Sequence, residues 1–282
     1  MTESVWVDPA AFRDEASIPT SPLEQTTLSY SKLRTLHVNG ALTYQRRYLE
    51  GLKDPMTEAQ ILGIATHKKL LEPESFGEDF LVLPKLDKRK KADKEQYENA
   101  VEEAAVEGKL IIQEPAAEAA AAMAAAVSSH PLVAPLLEDA LKEVELRWHK
   151  TATYGGQQHN FPTVAYLDFL NPTLKAMGDL KVISGGFDPY RFPSKAKKEF
   201  YHGQTGLYLE GAEINSIEVE SFNFILVSSK APYDVAVCPT EREFMERGRV
   251  AATTTTNALY QRLLSNNWIS YPEPIPVNFV PW

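Results

Sequence analysis

The pattern of apolar and polar positions divides the chain into a helical first half and a strand-rich second half. Residues 57–72 are predicted to form a helix, because Thr57 followed by Gln60 three positions later is typical of a capping box, and Pro73 ends the segment. Further helices are predicted near residues 29–33, 92–107, 116–127 and 133–140. The first half is therefore expected to be mainly helical.

The second half alternates with a period of two, which is typical of half-buried strands. Strands are predicted at 143–149, 164–170, 174–184, 216–228 and 233–238, with a hairpin turn at 154–156 and a turn at 171–172. A helix is predicted over 195–212, and Thr240 with Glu243 suggests a capping box for a last helix that runs to about 264. The expected fold class is α/β, with a central mixed sheet flanked by helices and a helical N-terminal region.

The length of 282 residues suits one large domain or two small ones. Residues 1–27 are rich in Pro, Ser, Thr and acidic residues and are expected to form a flexible arm. We expect 28–282 to be a single domain, with a mainly helical part at 28–140 and the sheet core at 141–282.

Composition narrows the class of protein. Cys238 is the one cysteine, which excludes an internal disulfide, a four-cysteine iron–sulfur cluster and a cysteine zinc finger. No apolar run reaches the roughly 20 residues of a membrane span, and the N-terminus lacks the pattern of a signal peptide. We therefore expect a cytoplasmic protein with no membrane partner. The net charge of −9 argues against an indiscriminate nucleic-acid binder but not against an enzyme that gathers carboxylates around a metal.

The informative chemistry lies around the turn at 171–172. Asp168 comes near the end of one predicted strand, and Asp179 and Lys181 are two positions apart on the next. A spacing of two places both side chains on one face of a sheet, and the turn folds the strands back so that the two carboxylates could meet. Carboxylates hold hard cations such as Mg²⁺, and a lysine beside a metal-bound water helps to orient it and offsets negative charge.

This arrangement has an ordinary alternative, in which Asp179 and Lys181 are an exposed strand pair and Asp168 is a turn residue. Against it, Val182 and Ile183 continue a strand that is expected to be buried. A charged pair that enters a buried strand needs a functional reason.

Asp168 with the Gly178-Asp179-Leu180-Lys181 segment resembles the PD-(D/E)XK nuclease motif, with Leu167 in place of the usual proline. More specifically, five segments resemble the RecE-type exodeoxyribonuclease VIII family, which is related to phage lambda exonuclease. They occur in the family's order and are GIATHKKLLEPE (63–74), ELRW (145–148), GDLK (178–181), YHGQTGLY (201–208) and APYDVAV (231–237). Tyr166 departs from the pattern, because a small or basic residue is more usual there.

The resemblance implies roles for particular residues. It implies metal ligation by Asp168, Asp179 and the Leu180 carbonyl, with Lys181 as the catalytic lysine. It places His67 near the site, as a ligand for a second metal, and Glu145 beside it as a further catalytic residue. An ordinary helix histidine and a solvated strand glutamate are the alternatives.

The resemblance also implies contacts with DNA. Gln204 and Tyr208 lie four apart on a predicted helix and match an element that contacts DNA near the scissile phosphate in related nucleases, although Tyr208 also suits helix packing. The basic run over 85–94 suits phosphate contact, with a solvated loop as the alternative. A DNA-contacting arch, in which Tyr44 or Tyr48 stacks on a base, is a looser hypothesis; its polar members are Ser31, Lys32, Arg46 and Arg47.

The implied function is a Mg²⁺-dependent exonuclease, with Mn²⁺ as a substitute, that degrades linear double-stranded DNA from its ends, 5′ to 3′, to leave 3′ overhangs for recombination. The implied partners are DNA ends, further copies in a homo-oligomeric ring and a single-strand annealing protein, in a bacterial or phage-infected cytoplasm. The alternatives are an endonuclease or RecB-like repair nuclease of the same fold, and a DNA-binding protein whose nuclease site has lapsed.

Overall fold

The fold is described from a computed structural model, which covers residues 21–52, 54–87 and 89–269. Its strands are β1 (Phe80–Leu83), β2 (Leu110–Gln113), β3 (Leu141–Tyr154), β4 (Gln157–Asn171), β5 (Ala176–Ile183), β6 (Ser221–Ser228) and β7 (Val235–Pro239). Its α-helices are α1 (Tyr30–Arg34), α2 (Ala41–Tyr44), α3 (Glu58–Leu71), α4 (Phe76–Asp79), α5 (Lys91–Glu107), α6 (Glu114–Ser129), α7 (Ala134–Leu137), α8 (Phe192–Lys198), α9 (Tyr201–Ile214) and α10 (Arg242–Ser265). Short π-helical turns extend α1 and α2.

A five-stranded mixed sheet with the order β3-β4-β5-β6-β7 forms the centre of the fold, as the alternating pattern predicts. Gly155 and Gly156 adopt positive φ angles in the turn between β3 and β4, which makes this pair an antiparallel hairpin. β5 pairs with β4 antiparallel and with β6 in parallel, and β7 closes the sheet antiparallel to β6. The parallel pair is possible because α8 and α9 connect β5 to β6.

Apolar side chains on both faces of the sheet bury it between two helical layers. Trp148, Leu167, Phe222 and their neighbours form a cluster with α9 and α10 on one face, whereas Leu180 and Ile225 pack against α3 and α6 on the other. Because helices cover both faces of the sheet, the central strands β5 and β6 are buried along almost their whole length. The α/β class with flanking helices is thus confirmed.

The capping box of α3 is present as predicted, because Thr57 accepts from the Gln60 amide and the Gln60 side chain accepts from the Thr57 amide. The capping box predicted at Thr240 is wrong. The Thr240 amide and hydroxyl both donate to the Phe222 carbonyl, at 2.9 and 3.0 Å, so this residue extends the pairing of β7 with β6. α10 begins two residues later, after Glu241 as its N-cap.

The helix predicted over 195–212 is two helices, α8 and α9. Phe200 separates them with a φ of 64°, and its fully buried ring fills the space beside Gly203. A side chain added at Gly203 would lie 2.3 Å from that ring. The pattern also missed the parallel pair β1 and β2, which packs against α3 and α6.

The predicted flexible arm is described only in part, since residues 1–20 lie outside the described residues. Thr26, inside the predicted arm, is 4% exposed, and Leu28, directly after the arm, is fully buried. The Leu28 amide donates to the Pro162 carbonyl at 2.7 Å, and the Val164 amide donates to the Leu28 carbonyl at 2.9 Å. In the part of the chain that the structure describes, no helix has the length and apolar character needed to cross a bilayer.

Candidate active site

The candidate site lies where β4 and β5 separate. The two strands pair only from Phe169–Gly178 to Asn171–Ala176, and Asp168 and Asp179 are the first residues beyond the paired segment. Gly178 allows the close approach of the strands, since a Cβ there would lie 2.1 Å from the Asn223 carbonyl oxygen and 2.7 Å from the Phe169 ring. The turn at 172–175 and the period-two spacing thus bring both predicted carboxylates to one split in the sheet, beside Lys181.

Asp168 is held by a backbone amide and a histidine. Its Oδ2 accepts from the Leu180 amide at 2.5 Å and lies 3.1 Å from His67 Nε2. Burial alone would raise the pKa of Asp168, but the His67 charge and the Leu180 N–H outweigh it and lower that pKa. This carboxylate is therefore ionised at neutral pH.

His67 reaches the split from α3, as the resemblance implied. Its Nδ1 lies 2.8 Å from the Gly63 carbonyl oxygen, and its Nε2 lies 2.9 Å from the Leu180 carbonyl oxygen. Both ring nitrogens therefore face acceptors, which suits a protonated imidazolium. Burial opposes that charge, but the Asp168 carboxylate outweighs burial and raises the pKa of His67 to about 9.

Asp179, Lys181 and Gln204 form one buried network. The Lys181 ammonium lies 2.5 Å from Asp179 Oδ2 and donates to Gln204 Oε1 at 3.0 Å, while the Gln204 amide group donates to Asp179 Oδ1. Gln204 is 2% exposed, so in this structure it holds Asp179 and Lys181 in place and does not face solvent. The Lys181 ammonium also lies 4.5 Å from the centre of the Tyr201 ring.

The environment shifts the pKa values of this pair upward. Burial raises the pKa of Asp179, and the nearby Asp168 charge adds to the shift although Lys181 opposes it. Burial lowers the pKa of Lys181, but the Asp179 charge outweighs burial and the pKa is raised. Lys181 is therefore held as a cation beside the two carboxylates.

A cleft of about 580 Å³ opens beside the split, between α3 and the start of β3. Glu143, Glu72 and Asp79 line it together with Asp168 and His67. Burial, followed by repulsion from Asp168, raises the pKa of Glu143 to about 7. Sequence reasoning missed Glu143, which is a functional candidate by its position in this acidic cleft.

The structure does not bring Glu145 to the cleft. This residue pairs with Tyr166, two positions along the ladder from Glu143 and Asp168, and it forms an exposed ion pair with Arg147. The hairpin pairs Lys142 with Phe169 and Val144 with Leu167, so Glu143, not Glu145, lies at the level of Asp168. The Gly155–Gly156 turn sets this register. Counting residues back from the turn along both strands therefore identifies Glu143 as the residue at the level of Asp168.

The predicted DNA-contacting residues lie in several environments. Tyr208 is 6% exposed and packs edge-on against Tyr30 and near Phe222, which favours the packing alternative. Tyr44 is fully buried and stacks on Trp268, so it presents no face to a base. Tyr48 is partly exposed.

The four polar residues of the predicted arch lie on and after α1 and α2. Lys32 donates to the Thr27 carbonyl at 2.7 Å, Arg47 pairs with Asp54 at 2.6 Å, and the Ser31 hydroxyl lies 3.1 Å from that of Ser29. Arg46 is exposed. The basic run over 85–94 surrounds the start of α5, with its residue 88 outside the described residues.

The donor atoms at the split suit a hard cation. Asp179 Oδ2 is buried and faces the Lys181 ammonium, and the Leu180 carbonyl and Asp168 carboxylate supply further oxygen donors nearby. Within the described residues, no three His, Cys, Asp or Glu side chains surround a common point as a preformed metal centre. Two carboxylates and a carbonyl nevertheless fit Mg²⁺, which takes few protein ligands and keeps several waters.

The fold is of the PD-(D/E)XK type. It has a mixed sheet with helices on both faces, and a strand split that carries Asp168, Asp179 and Lys181. Residues 37–268 match the family described as "PDDEXK-like domain of unknown function (DUF3799)", and the chain belongs to this family. The crystal structure of a putative exonuclease from Eubacterium rectale has a similar fold, with a TM-score of 0.54, 13% identity, and 84% of this chain and 80% of that chain covered. A solved structure described as SSO0001 matches with a TM-score of 0.28 and 13% identity, over 72% of this chain and 85% of that chain. No curated protein matches the sequence. The superfamily part of the resemblance is thus confirmed.

Proposed function

We propose that the protein is a metal-dependent nuclease that degrades linear double-stranded DNA from its ends, 5′ to 3′, and leaves 3′ overhangs for recombination. The observation that carries the proposal is the convergence of Asp168, Asp179 and Lys181 where β4 and β5 separate. Two largely buried carboxylates beside a largely buried ammonium cost folding free energy, and such clusters are typical of functional sites. Family membership adds support, because the family is PDDEXK-like.

The chain's own residues divide the work of phosphodiester hydrolysis. When bound, Mg²⁺ supplies a Lewis acid for the phosphate and lowers the pKa of the attacking water. Asp168, Asp179 and the Leu180 carbonyl would hold it, and Mn²⁺ suits the same oxygen donors. The Lys181 ammonium, fixed by Gln204, is placed to donate a hydrogen bond to the attacking water or to a phosphate oxygen as charge develops.

The finer points of the proposal rest on the RecE-type resemblance. These points are the need for a DNA end, the 5′ to 3′ polarity, the homo-oligomeric ring, the single-strand annealing partner and the location in a bacterial or phage-infected cytoplasm. The Asp–Asp–Lys set is complete, which speaks against a lapsed site, because a lapsed site is expected to lose a carboxylate or the lysine first. An endonuclease of the same fold would differ from an exonuclease by cutting closed circular DNA, which has no end.

The test is the degradation of linear duplex DNA labelled at one 5′ or one 3′ end, beside closed and nicked circles, with Mg²⁺ and with EDTA. We expect stepwise loss from the 5′ ends of the linear duplex, no cutting of closed circles, and no activity in EDTA. Cutting of closed circles would replace the exonuclease with an endonuclease. Loss of the 3′ label first would reverse the polarity.

Variants link the activity to the site. Asp179→Asn keeps the shape of the side chain and removes its charge, and we expect it to abolish cleavage. Lys175→Met is the matched control, since Lys175 precedes the same strand and pairs on the surface with Glu218 and Glu220, at 2.9 and 3.0 Å. A folded protein that cleaves no DNA with Mg²⁺ or Mn²⁺ would overturn the proposal.

A further inference from the structure

A strongly basic segment lies beside the candidate site in a chain whose net charge is −9. Residues 188–198 carry four cations against the single carboxylate of Asp188, and the cations are Arg191, Lys195, Lys197 and Lys198. Arg191 lies 3.2 Å from Asp188, whereas the three lysines form no ion pair within the described residues. The segment therefore presents positive charge that the protein itself does not neutralise.

Three of the four cations lie close together in the segment. Lys195 and Lys198 are three positions apart on α8, which aligns them along one face of the helix, and Arg191 directly precedes the first residue of that helix. Phe192 and Ala196 are buried and anchor the opposite face in the core. Favourable interaction with the end of the α8 dipole explains lysines in its last turn, but it does not explain Arg191, which precedes the helix.

An aromatic side chain completes the surface. Tyr190 is 96% exposed, and it lies in a short 3₁₀ turn whose geometry is fixed by the Asp188 carboxylate, which accepts from the Tyr190 amide at 3.1 Å. The ring is thus presented to solvent on an ordered turn, directly before Arg191. Aromatic rings interleaved with cations are the arrangement that binds single-stranded nucleic acid, because rings stack on bases while cations contact phosphates.

A chain of aromatic contacts joins this surface to the candidate site. The Lys181 ammonium lies 4.5 Å from the centre of the Tyr201 ring, and that ring lies 6.0 Å from the ring of Phe192. Phe192 is the first residue of α8. A cavity of about 200 Å³, lined by Ile183 and Lys195 among others, continues from the end of β5 to α8. The basic surface is therefore adjacent to the strand that carries Asp179 and Lys181.

We propose that residues 188–198 bind single-stranded DNA next to the active site, with Tyr190 stacked on a base and Arg191, Lys195 and Lys198 on the phosphates. The occupant is a single strand because the faces of paired bases are covered by their neighbours in a duplex. The inference rests on the proposed function for its biological sense, since a nuclease that degrades one strand exposes the other. Its test measures binding and needs no cleavage.

The experiment is fluorescence anisotropy of a labelled 20-nucleotide oligo(dT) with the whole chain in EDTA, repeated over a series of salt concentrations. Tyr190→Ala is expected to weaken binding by about five- to 100-fold, and Tyr190→Phe to leave it nearly unchanged. The triple variant Arg191→Gln/Lys195→Gln/Lys198→Gln is expected to reduce the slope of log affinity against log salt by about 2.

A second triple variant, Lys109→Gln/Lys142→Gln/Lys175→Gln, is the matched control, because it removes the same charge outside residues 188–198 and outside the basic run over 85–94. We expect it to leave the salt slope unchanged. An equal loss in both triple variants would overturn the placement at α8, and an equal effect of Tyr190→Ala on a blunt 20-base-pair duplex would overturn the single-strand assignment. Absence of oligo(dT) binding in the folded wild-type chain would overturn the proposal itself. Binding without any nuclease activity would instead leave this surface standing and remove the proposed function.

Discussion

The Lys181→Met substitution tests the energetic coupling of the buried network. Methionine keeps most of the length of the side chain but removes the ammonium that lies 2.5 Å from Asp179 Oδ2. The Asp179 side chain is only 7% exposed, and it would be left with the Gln204 amide group as its donor. Removing one partner of a buried ion pair typically costs about 3–5 kcal/mol, and we expect about 3 kcal/mol here because that donor remains.

A second substitution should reverse most of this loss. In the double variant Asp179→Asn/Lys181→Met, the carboxylate becomes a neutral amide whose oxygen still accepts from Gln204. Asp168 also loses a like charge nearby, which is one of the causes that raise the pKa of Asp179. We expect the double variant to lie within about 1 kcal/mol of the wild type, since neutral replacement of a buried pair is often close to neutral for stability.

The assay is urea denaturation of the wild type, Asp179→Asn, Lys181→Met and the double variant in EDTA at pH 8 and pH 5. The folded pKa of Asp179 is raised, so its protonated form is favoured in the fold, and stability is lost as the pH rises from its usual value of 3.8 through the folded pKa. Lys181 opposes that shift, so Lys181→Met should raise the pKa of Asp179 further, and the cost of the substitution should be larger at pH 8 than at pH 5. Free energies that add within about 0.5 kcal/mol would refute the coupling.

Three further predictions use the same measurement of unfolding. Gly178→Ala should destabilise the protein by about 2 kcal/mol or more, because the new Cβ would lie 2.1 Å from a backbone oxygen. Gly63→Ala should stabilise it by up to about 1 kcal/mol, because Gly63 lies in a helix with open space around it. Equal effects of the two substitutions would contradict the glycine geometry. The pKa of Glu143 is raised from 4.5 to about 7, so its stabilising contribution is present below pH 4.5 and is lost as the pH rises to 7. Glu143→Gln should therefore stabilise the metal-free protein at pH 8 but not at pH 4. A loss of stability at pH 8 would contradict this prediction. Lys150→Met should cost about 3 kcal/mol, because the Lys150 side chain is 4% exposed and its partner Glu210 would be left unpaired; a cost below about 1 kcal/mol would show that Glu210 is hydrated.

The sequence predicted the central sheet and the position of its site because both depend on local periodicity. Alternation identified the five central strands, and the turn at 171–172 with the spacing of Asp179 and Lys181 indicated which side chains meet. His67 could be placed near the site only by resemblance. Its contact with Leu180 joins residues 113 positions apart, a separation that local patterns do not report.

The remaining features depend on tertiary contacts or on exact register. The resemblance pointed to Glu145 and not to Glu143, and alternation does not separate the two, because it gives the face of a strand but not its partner, which the Gly155–Gly156 turn fixes. Phe200 interrupts the predicted helix because burial of its ring offsets an unfavourable backbone conformation. β1 and β2 are four residues each and pair across an intervening helix, so neither has a strong pattern of its own.

The most direct test of the account is the rate at which nucleotides are released from a linear duplex in Mg²⁺ by the wild type and by Asp168→Asn at equal concentrations of folded protein. Asp168→Asn keeps an oxygen that accepts from the Leu180 amide, so the strand split should persist while the charge is lost. We predict metal-dependent release by the wild type and at least a 100-fold slower rate for the variant, because positioning and metal binding both depend on this carboxylate. Equal rates for the two proteins would contradict the assignment of the active site to the split between β4 and β5.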